Sequence, residues 1–176
     1  MSVYKSKRST SKMEFIKTAQ QISTHTIKQL KKFPKSYRFN IVNDLYRLSL
    51  EIYENSLKAN SIYMNKNMTE TEYLLRKKYL FKSKSAIFAM SGLLTIVFDM
   101  VIQGNNFLGD KEKTSNMFQE WARLLNLEHR LIKGVIDSDK KKWKEYQSKS
   151  KKSEESKMEG ENKNTDILIL EDFNLD

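Results

Sequence analysis

The residues of this chain best suited to chemistry are clustered cations, whose side chains can bind phosphate groups. Five of them fall within nine residues, at Arg76, Lys77, Lys78, Lys82 and Lys84. The segment has helical periodicity, so Lys78 and Lys82 lie one turn apart and share a face. Rows of this kind follow a phosphate backbone without reading its base sequence. We therefore predict that all five residues contact nucleic acid.

A second set of cations lies in the last amphipathic segment. Arg123 and Arg130 are seven residues apart and share a helix face, and Lys133 and the run 140–142 follow them. Arg123, Arg130 and Lys133 are also predicted to contact nucleic acid. For each cation taken singly, a solvated helix face is the alternative explanation. It is the number of such residues that favours a polyanionic ligand.

A third candidate is the turn around the single proline of the chain. Lys35 and Arg38 stand at the predicted start of a helix, where the macrodipole is positive and cations are unfavourable. A bound phosphate would relieve this conflict, because free amide groups and a guanidinium could share it. The alternative is a hairpin turn in which Phe33, Tyr37 and Phe39 pack into the core. Both interpretations can hold, each for its own residues.

The net charge favours the same class of partner. The chain has 32 Lys and Arg residues against 22 Asp and Glu residues, a net charge of +10. Residues 1–147 carry 27 basic and 14 acidic residues, whereas residues 148–176 carry 5 and 8. A basic surplus of this size is typical of proteins that bind nucleic acid, and sometimes of those that bind a membrane face. Solubility alone is the alternative.

Catalysis and metal binding find little support in the composition. The chain has no Cys and two His residues, which excludes thiol chemistry, disulfides and a histidine-rich metal site. Neither His25 nor His129 stands in a pattern with a nucleophile and an orienting acid. Asp99 interrupts an apolar stretch but has no second carboxylate at helical spacing. We predict a protein that is not an enzyme and that holds no metal or cofactor.

The elements that must position these residues are helices. Five Gly residues and one Pro are too few for the turns of a sheet protein of 176 residues. Ser36, a capping box at Thr69 and Glu72, and Asp110 predict three helix starts. We predict an all-α, antiparallel, up-down four-helix bundle over residues 13–147, after a disordered basic arm at 1–12. The four helices cover about residues 13–32, 36–63, 69–102 and 110–147.

The third helix contains the most apolar stretch, residues 86–98, which Asp99 interrupts. This stretch is shorter than the ~20 residues that a membrane span needs, so we predict a buried helix rather than a membrane segment. The N-terminus is polar and basic, and no apolar run of signal-peptide length follows it. The sequence is therefore interpreted as that of a cytoplasmic protein.

The C-terminal part, residues 148–176, differs in composition from the rest. Residues 148–164 are rich in Lys, Ser and Glu, and are predicted to be disordered. An apolar segment with interspersed acids follows them, and it could dock on another protein or cover the basic body as an autoinhibitory segment. Disorder is the alternative for this segment too. Its candidate partner contacts are Ile167, Leu168, Leu170 and Phe173.

Two of these segments also resemble parts of a known family. Residues 32–39 read Lys-Phe-Pro-Lys-Ser-Tyr-Arg-Phe and precede a long amphipathic segment; residues 130–136 read Arg-Leu-Ile-Lys-Gly-Val-Ile. Over about residues 13–137 the chain resembles the four-helix-bundle family of proteins encoded in 23S rRNA intervening sequences. That family includes the accessory variability determinant (Avd) of diversity-generating retroelements. The N-terminal arm and the C-terminal part are additions relative to its compact members.

The resemblance implies a non-catalytic accessory protein. It implies a ring-shaped homopentamer with a basic channel that binds nucleic acid and a reverse transcriptase, and that supports cDNA synthesis from template RNA. Lys35 and Arg38 belong to the matching turn, and Arg130 to the matching closing pattern. Two alternatives remain open: an intervening-sequence protein without a polymerase partner, and a protein-interaction adaptor that uses its helical faces and residues 166–176.

Overall fold

The computed structural model describes residues 13–103 and 109–171, and side chains within 13–102 and 109–149. It confirms an all-α four-helix bundle, with no strand in the described ranges. Each helix packs on two neighbours: α1 and α3 each contact both α2 and α4. A 3₁₀ turn, Lys35–Tyr37, and a π-helical turn, Arg38–Val42, connect α1 to α2. The helices are α1 Glu14–Leu30, α2 Asn43–Ser61, α3 Glu70–Gln103 and α4 Lys111–Glu171.

Two of the three predicted helix starts are confirmed. Glu72 N donates to Thr69 Oγ1 at 3.2 Å, and Glu72 Oε2 accepts from Thr69 N at 2.8 Å, which completes the capping box of α3. Asp110 Oδ1 accepts from Glu112 N at 2.9 Å at the start of α4. The prediction for Ser36 is wrong. Pro34, whose ring leaves no side-chain acceptor, precedes the 3₁₀ turn there, and α2 itself begins at Asn43.

The core lies where the apolar stripes of the four helices meet. Residues that are completely or almost completely buried come from every helix: Ile22, Leu45, Ile52, Met90, Trp121 and Ile132. On α2, Tyr46 and Leu57 have the spacing of an apolar helix face, yet both are exposed. Since α2 packs against α1 on one side and α3 on the other, no other helix of the described residues covers its outer surface to a comparable extent.

The third helix is apolar on both its core face and part of its outer face. Leu80, Met90 and Val97 are buried, whereas Phe88 and Ile96 are each 58% exposed. An 18-residue stretch of α3 has a mean hydropathy of 2.0, and by length and composition the helix could cross a membrane. We expected the apolar stretch to be too short for a membrane span, but the whole of α3 is long and apolar enough for one. In this structure the same helix packs on α2 and α4.

The fourth helix is longer than predicted. The sequence indicated an end at about residue 147 and disorder beyond, whereas α4 runs for 61 residues to Glu171. Lys and Glu have high helix propensity and no proline follows, so Gly160 is the main local weakness in this part. The predicted arm, residues 1–12, and residues 172–176 lie outside the described residues.

Candidate nucleic-acid interface

Arg76, the first member of the predicted basic cluster, is buried. Its Nε donates to Asp139 Oδ2 at 2.6 Å, and both side chains are about nine-tenths buried. Its Nη1 donates to the carbonyls of Ala59 and Ile62 at the end of α2. The prediction that Arg76 contacts nucleic acid is therefore wrong, because its charge and donors are used inside the bundle. It caps α2 and ties α3 to α4.

Lys77 and Lys84, two other members of that cluster, lie on the edge of α3 that faces α4. Lys77 lies beside Ile136 of α4. Lys84 Nζ is 6.0 Å from the centre of the Phe88 ring, and that ring meets His129 of α4 edge to face at 5.1 Å. Because residues seven apart share a helix face, the two lysines form one row along this edge.

The facing edge of α4 carries a second row. His129 and Ile136 contact or adjoin α3, and Lys133 and Lys140 continue the same stripe at spacings of four and three residues. We call Lys77, Lys84, Lys133 and Lys140 the seam lysines. Within each helix the pair is separated by about 10 Å along the axis. Within the described residues no ion pair joins a seam lysine to a carboxylate.

The other predicted cations of α3 and α4 are exposed but lie off the seam. Lys78 is rotated by about 100° from Lys77 and, like Lys82, faces away from α4. Arg123 is paired with Glu120 through two hydrogen bonds of 2.7 Å. These bonds raise the pKa of Arg123 and lower that of Glu120, so the charge of Arg123 is compensated locally. Arg130 lies three residues from Lys133 and borders the seam.

Lys35 and Arg38 are exposed at the far end of the bundle. Arg76 holds the C-terminal end of α2, and the turn with Lys35 and Arg38 precedes its first residue, Asn43. The 19 residues of α2 therefore separate this turn from Arg76 by about 28 Å. A three-residue 3₁₀ turn and a π-helical turn stand where the first turns of α2 were expected, and anion binding by Lys35 and Arg38 stays a prediction.

A groove continues the seam beyond Phe88, between α3 and α4. Its volume is about 420 Å³. The floor is apolar, formed by Leu94, Phe98, Phe118 and Leu125, and the remaining lining groups are small or polar and uncharged. The groove, Phe88, His129 and Lys140 are absent from the predicted site. The spacing of these residues was visible in the sequence, but the pairing of α3 with α4 that joins them was not.

A separate polar group lies inside the bundle. The Glu128 side chain is fully buried, and its Oε1 accepts a weak hydrogen bond from Ser56 Oγ at 3.4 Å. Its Oε2 has no partner in the described part of the chain. Burial raises the pKa of Glu128 from 4.5 to about 8, so the group is mostly neutral at pH 7. Ser83 Oγ lies 3.1 Å from Ser56 Oγ and donates to Ile52 O.

Neither histidine forms a catalytic arrangement among the described residues. His25 Nε2 lies 3.4 Å from Met117 O, and its ring meets Trp121 edge to face. Partial burial lowers the pKa of His25. Asp99 is exposed, and among the described residues no group of three His, Asp or Glu side chains is placed to hold a metal ion.

The side chains of the predicted partner contacts in the C-terminal segment lie outside the described residues. The backbone of Ile167, Leu168 and Leu170 belongs to α4, and Phe173 lies outside the described residues. Comparisons of the chain with protein-family models, curated proteins and solved structures gave no match. The candidate interface therefore stands on the geometry of the seam.

Proposed function

We propose that this protein is a non-catalytic nucleic-acid-binding protein and that the seam lysines are its principal phosphate contacts. The observation that carries the proposal is that α3 and α4, which pack together, each carry two lysines along their common edge, and that no ion pair of the described residues includes any of the four. Cations that are not paired with carboxylates can release counterions from a phosphate backbone, which is the main source of sequence-independent affinity. Arg130, which borders the row, extends it on the outer surface of α4.

The resemblance of the sequence to the Avd family supplies the finer part of the proposal. In this form the protein is a cytoplasmic homopentamer that assists a reverse transcriptase in cDNA synthesis from template RNA. The exposed apolar side chains of α3 favour self-association, because a second copy could cover them. These side chains include Leu74 and Phe81, which are 50% and 47% exposed.

The same exposed face favours a second candidate function, that of a protein-interaction adaptor. An apolar helix face with no neighbour in the bundle can receive a helix from another protein. Such an adaptor would bind its protein partner tightly and would show little salt-sensitive affinity for RNA or DNA. The salt dependence of nucleic-acid binding therefore separates the two functions.

The test replaces the four seam lysines together by glutamine. Binding of a labelled oligonucleotide is measured by fluorescence anisotropy from 50 to 300 mM salt. Because a single strand contributes about 0.7 to the log–log slope for each phosphate neutralised, we expect the slope to become shallower by about 3. The matched control makes the same change at four exposed lysines on or next to α1: Lys17, Lys28, Lys31 and Lys32.

The control has the same net charge as the seam variant, so the difference between the two reports position rather than charge. A slope that falls equally in both variants would contradict the assignment of the seam and leave a diffuse basic surface. Absence of binding by the unsubstituted protein, at low salt and with RNA, DNA and hybrid probes, would contradict the proposed function itself.

A further inference from the structure

The seam has two chemically different halves. One half carries the seam lysines, and the other is the 420 Å³ groove with its apolar floor and uncharged lining. Phe88 lies at the boundary between them, and its side chain is 58% exposed. A site that only followed phosphates would need the first half alone. The apolar groove therefore suits a ligand that carries a planar, largely apolar group beside its phosphates.

Phe88 presents an aromatic surface whose surroundings restrain it. The edge-to-face contact with His129, at 5.1 Å with the rings inclined by 66°, supports the ring from α4. Lys84 Nζ lies 6.0 Å from the ring centre, the outer limit of a cation–π contact. An exposed ring next to a lysine row is the arrangement that single-strand-binding proteins use, with bases on aromatic side chains and phosphates on cations.

The groove next to Phe88 has the chemistry of a nucleobase site. Its volume falls within the range of small-molecule sites. A base has an apolar face and a hydrogen-bonding edge. Leu94 and Phe118 of the floor suit the face, and the polar groups of the lining suit the edge. These groups belong to Ser91, Thr95, Ser115, Gln119 and Asn126, and no lining residue is charged. The hydroxyls of Ser91 and Thr95 already donate to carbonyls of their own helix, so towards a base they act as acceptors.

We infer that the seam is a site for single-stranded nucleic acid, in which phosphates follow the seam lysines and an unpaired base stacks on Phe88 at the mouth of the groove. The bases of a duplex are stacked on one another, so the groove can receive a base only from a single strand, a loop or an end. This inference rests on the proposed function and adds the class of nucleic acid to it.

The test compares single-stranded and duplex probes on a Phe88→Ala variant. Labelled 12-residue oligo(dT) and oligo(U), and a 12-base-pair duplex, are titrated at one salt concentration. Since a stacked base is worth on the order of tenfold in affinity, we expect both single strands to bind about tenfold more weakly and the duplex to be unaffected. The salt slope should not change, because no phosphate contact is removed.

Two further variants control the test. Phe39→Ala removes another phenylalanine, 80% exposed in the connection between α1 and α2, and should leave all affinities unchanged. Phe88→Trp keeps a stacking surface and should restore single-strand binding, which separates loss of stacking from loss of structure. Thermal unfolding of each variant checks that the bundle is intact.

Each other result overturns the inference in a recognisable way. Equal affinity of Phe88→Ala and the unsubstituted protein for oligo(dT) would leave the seam lysines as phosphate contacts and remove the base site. A native mass that falls in Phe88→Ala while oligonucleotide affinity persists would assign Phe88 to contacts between copies of the chain. If the unsubstituted protein binds none of the probes, the proposed function is contradicted as well.

Discussion

Glu128 makes the stability of the bundle depend on pH. Its carboxyl group is fully buried and accepts one weak hydrogen bond from Ser56, and no cation among the described residues stabilises its charged form. Burial raises its pKa in the folded protein to about 8, against an ordinary value of 4.5. Between these values the folded state binds more protons than the unfolded state, so the stability falls as the pH rises.

The size of the effect follows from linkage. Each unit of pH between the two pKa values lowers the free energy of unfolding by about 1.4 kcal/mol. The loss from pH 6 to pH 9 is therefore about 3 kcal/mol, and it levels off above the folded pKa. In Glu128→Gln the side chain has no charge at either pH, so this contribution disappears. We expect the variant to gain about 3 kcal/mol relative to the unsubstituted protein on going from pH 6 to pH 9.

The assay is urea unfolding followed by circular dichroism at pH 6 and pH 9. Comparing the variant with the unsubstituted protein at both pH values cancels the titration of His25 and the fixed cost of the new amide. Glu120→Gln is the matched control: Glu120 pairs with Arg123, its pKa is lowered, and it stays ionised throughout this range. An equal pH dependence in Glu128→Gln and the unsubstituted protein would refute the reasoning.

Two further predictions concern buried polar pairs. Asp139→Asn leaves Arg76 charged and without its carboxylate. The free energy of unfolding, measured with urea, should therefore fall by about 3 kcal/mol or more. A change below about 1 kcal/mol would mean that water reaches this pair. Trp121 Nε1 donates to Thr26 Oγ1 at 2.9 Å. Thr26→Val removes this acceptor, so the free energy of unfolding should fall by about 1–3 kcal/mol and the tryptophan fluorescence should shift. An unchanged spectrum and stability would contradict that hydrogen bond.

The parts of the fold that the sequence predicted correctly depend on neighbouring residues in the chain. The capping box of Thr69 and Glu72, and the cap at Asp110, act over two or three residues and are visible in the sequence. Helical periodicity likewise identified the four helices. The apolar spacing on α2 shows the limit of such patterns. Tyr46 and Leu57 have apolar spacing, but their burial requires a neighbouring helix that the bundle does not place there.

The site could be predicted only in part, because it depends on which helices become neighbours. Arg76 and Lys77 are adjacent in the sequence, yet one is buried and the other lies on the seam. The difference arises from Asp139, which is 63 residues from Arg76 in the chain but whose Oδ2 lies 2.6 Å from Arg76 Nε. In the same way, Phe88 becomes a candidate stacking residue only because His129 supports it from α4.

The buried polar contacts and the seam are linked through the axial register of the helices. Apolar side chains tolerate a helix that slides along its neighbour, whereas a buried ion pair does not. A shift of α4 by one turn, about 5.4 Å, would leave Arg76 and Asp139 without each other in the core. The register that keeps this pair also sets Lys77 and Lys84 opposite the lysines of α4. Arg76, which the sequence predicted as a phosphate contact, thus acts on the proposed interface indirectly, because its ion pair fixes the register of α3 and α4.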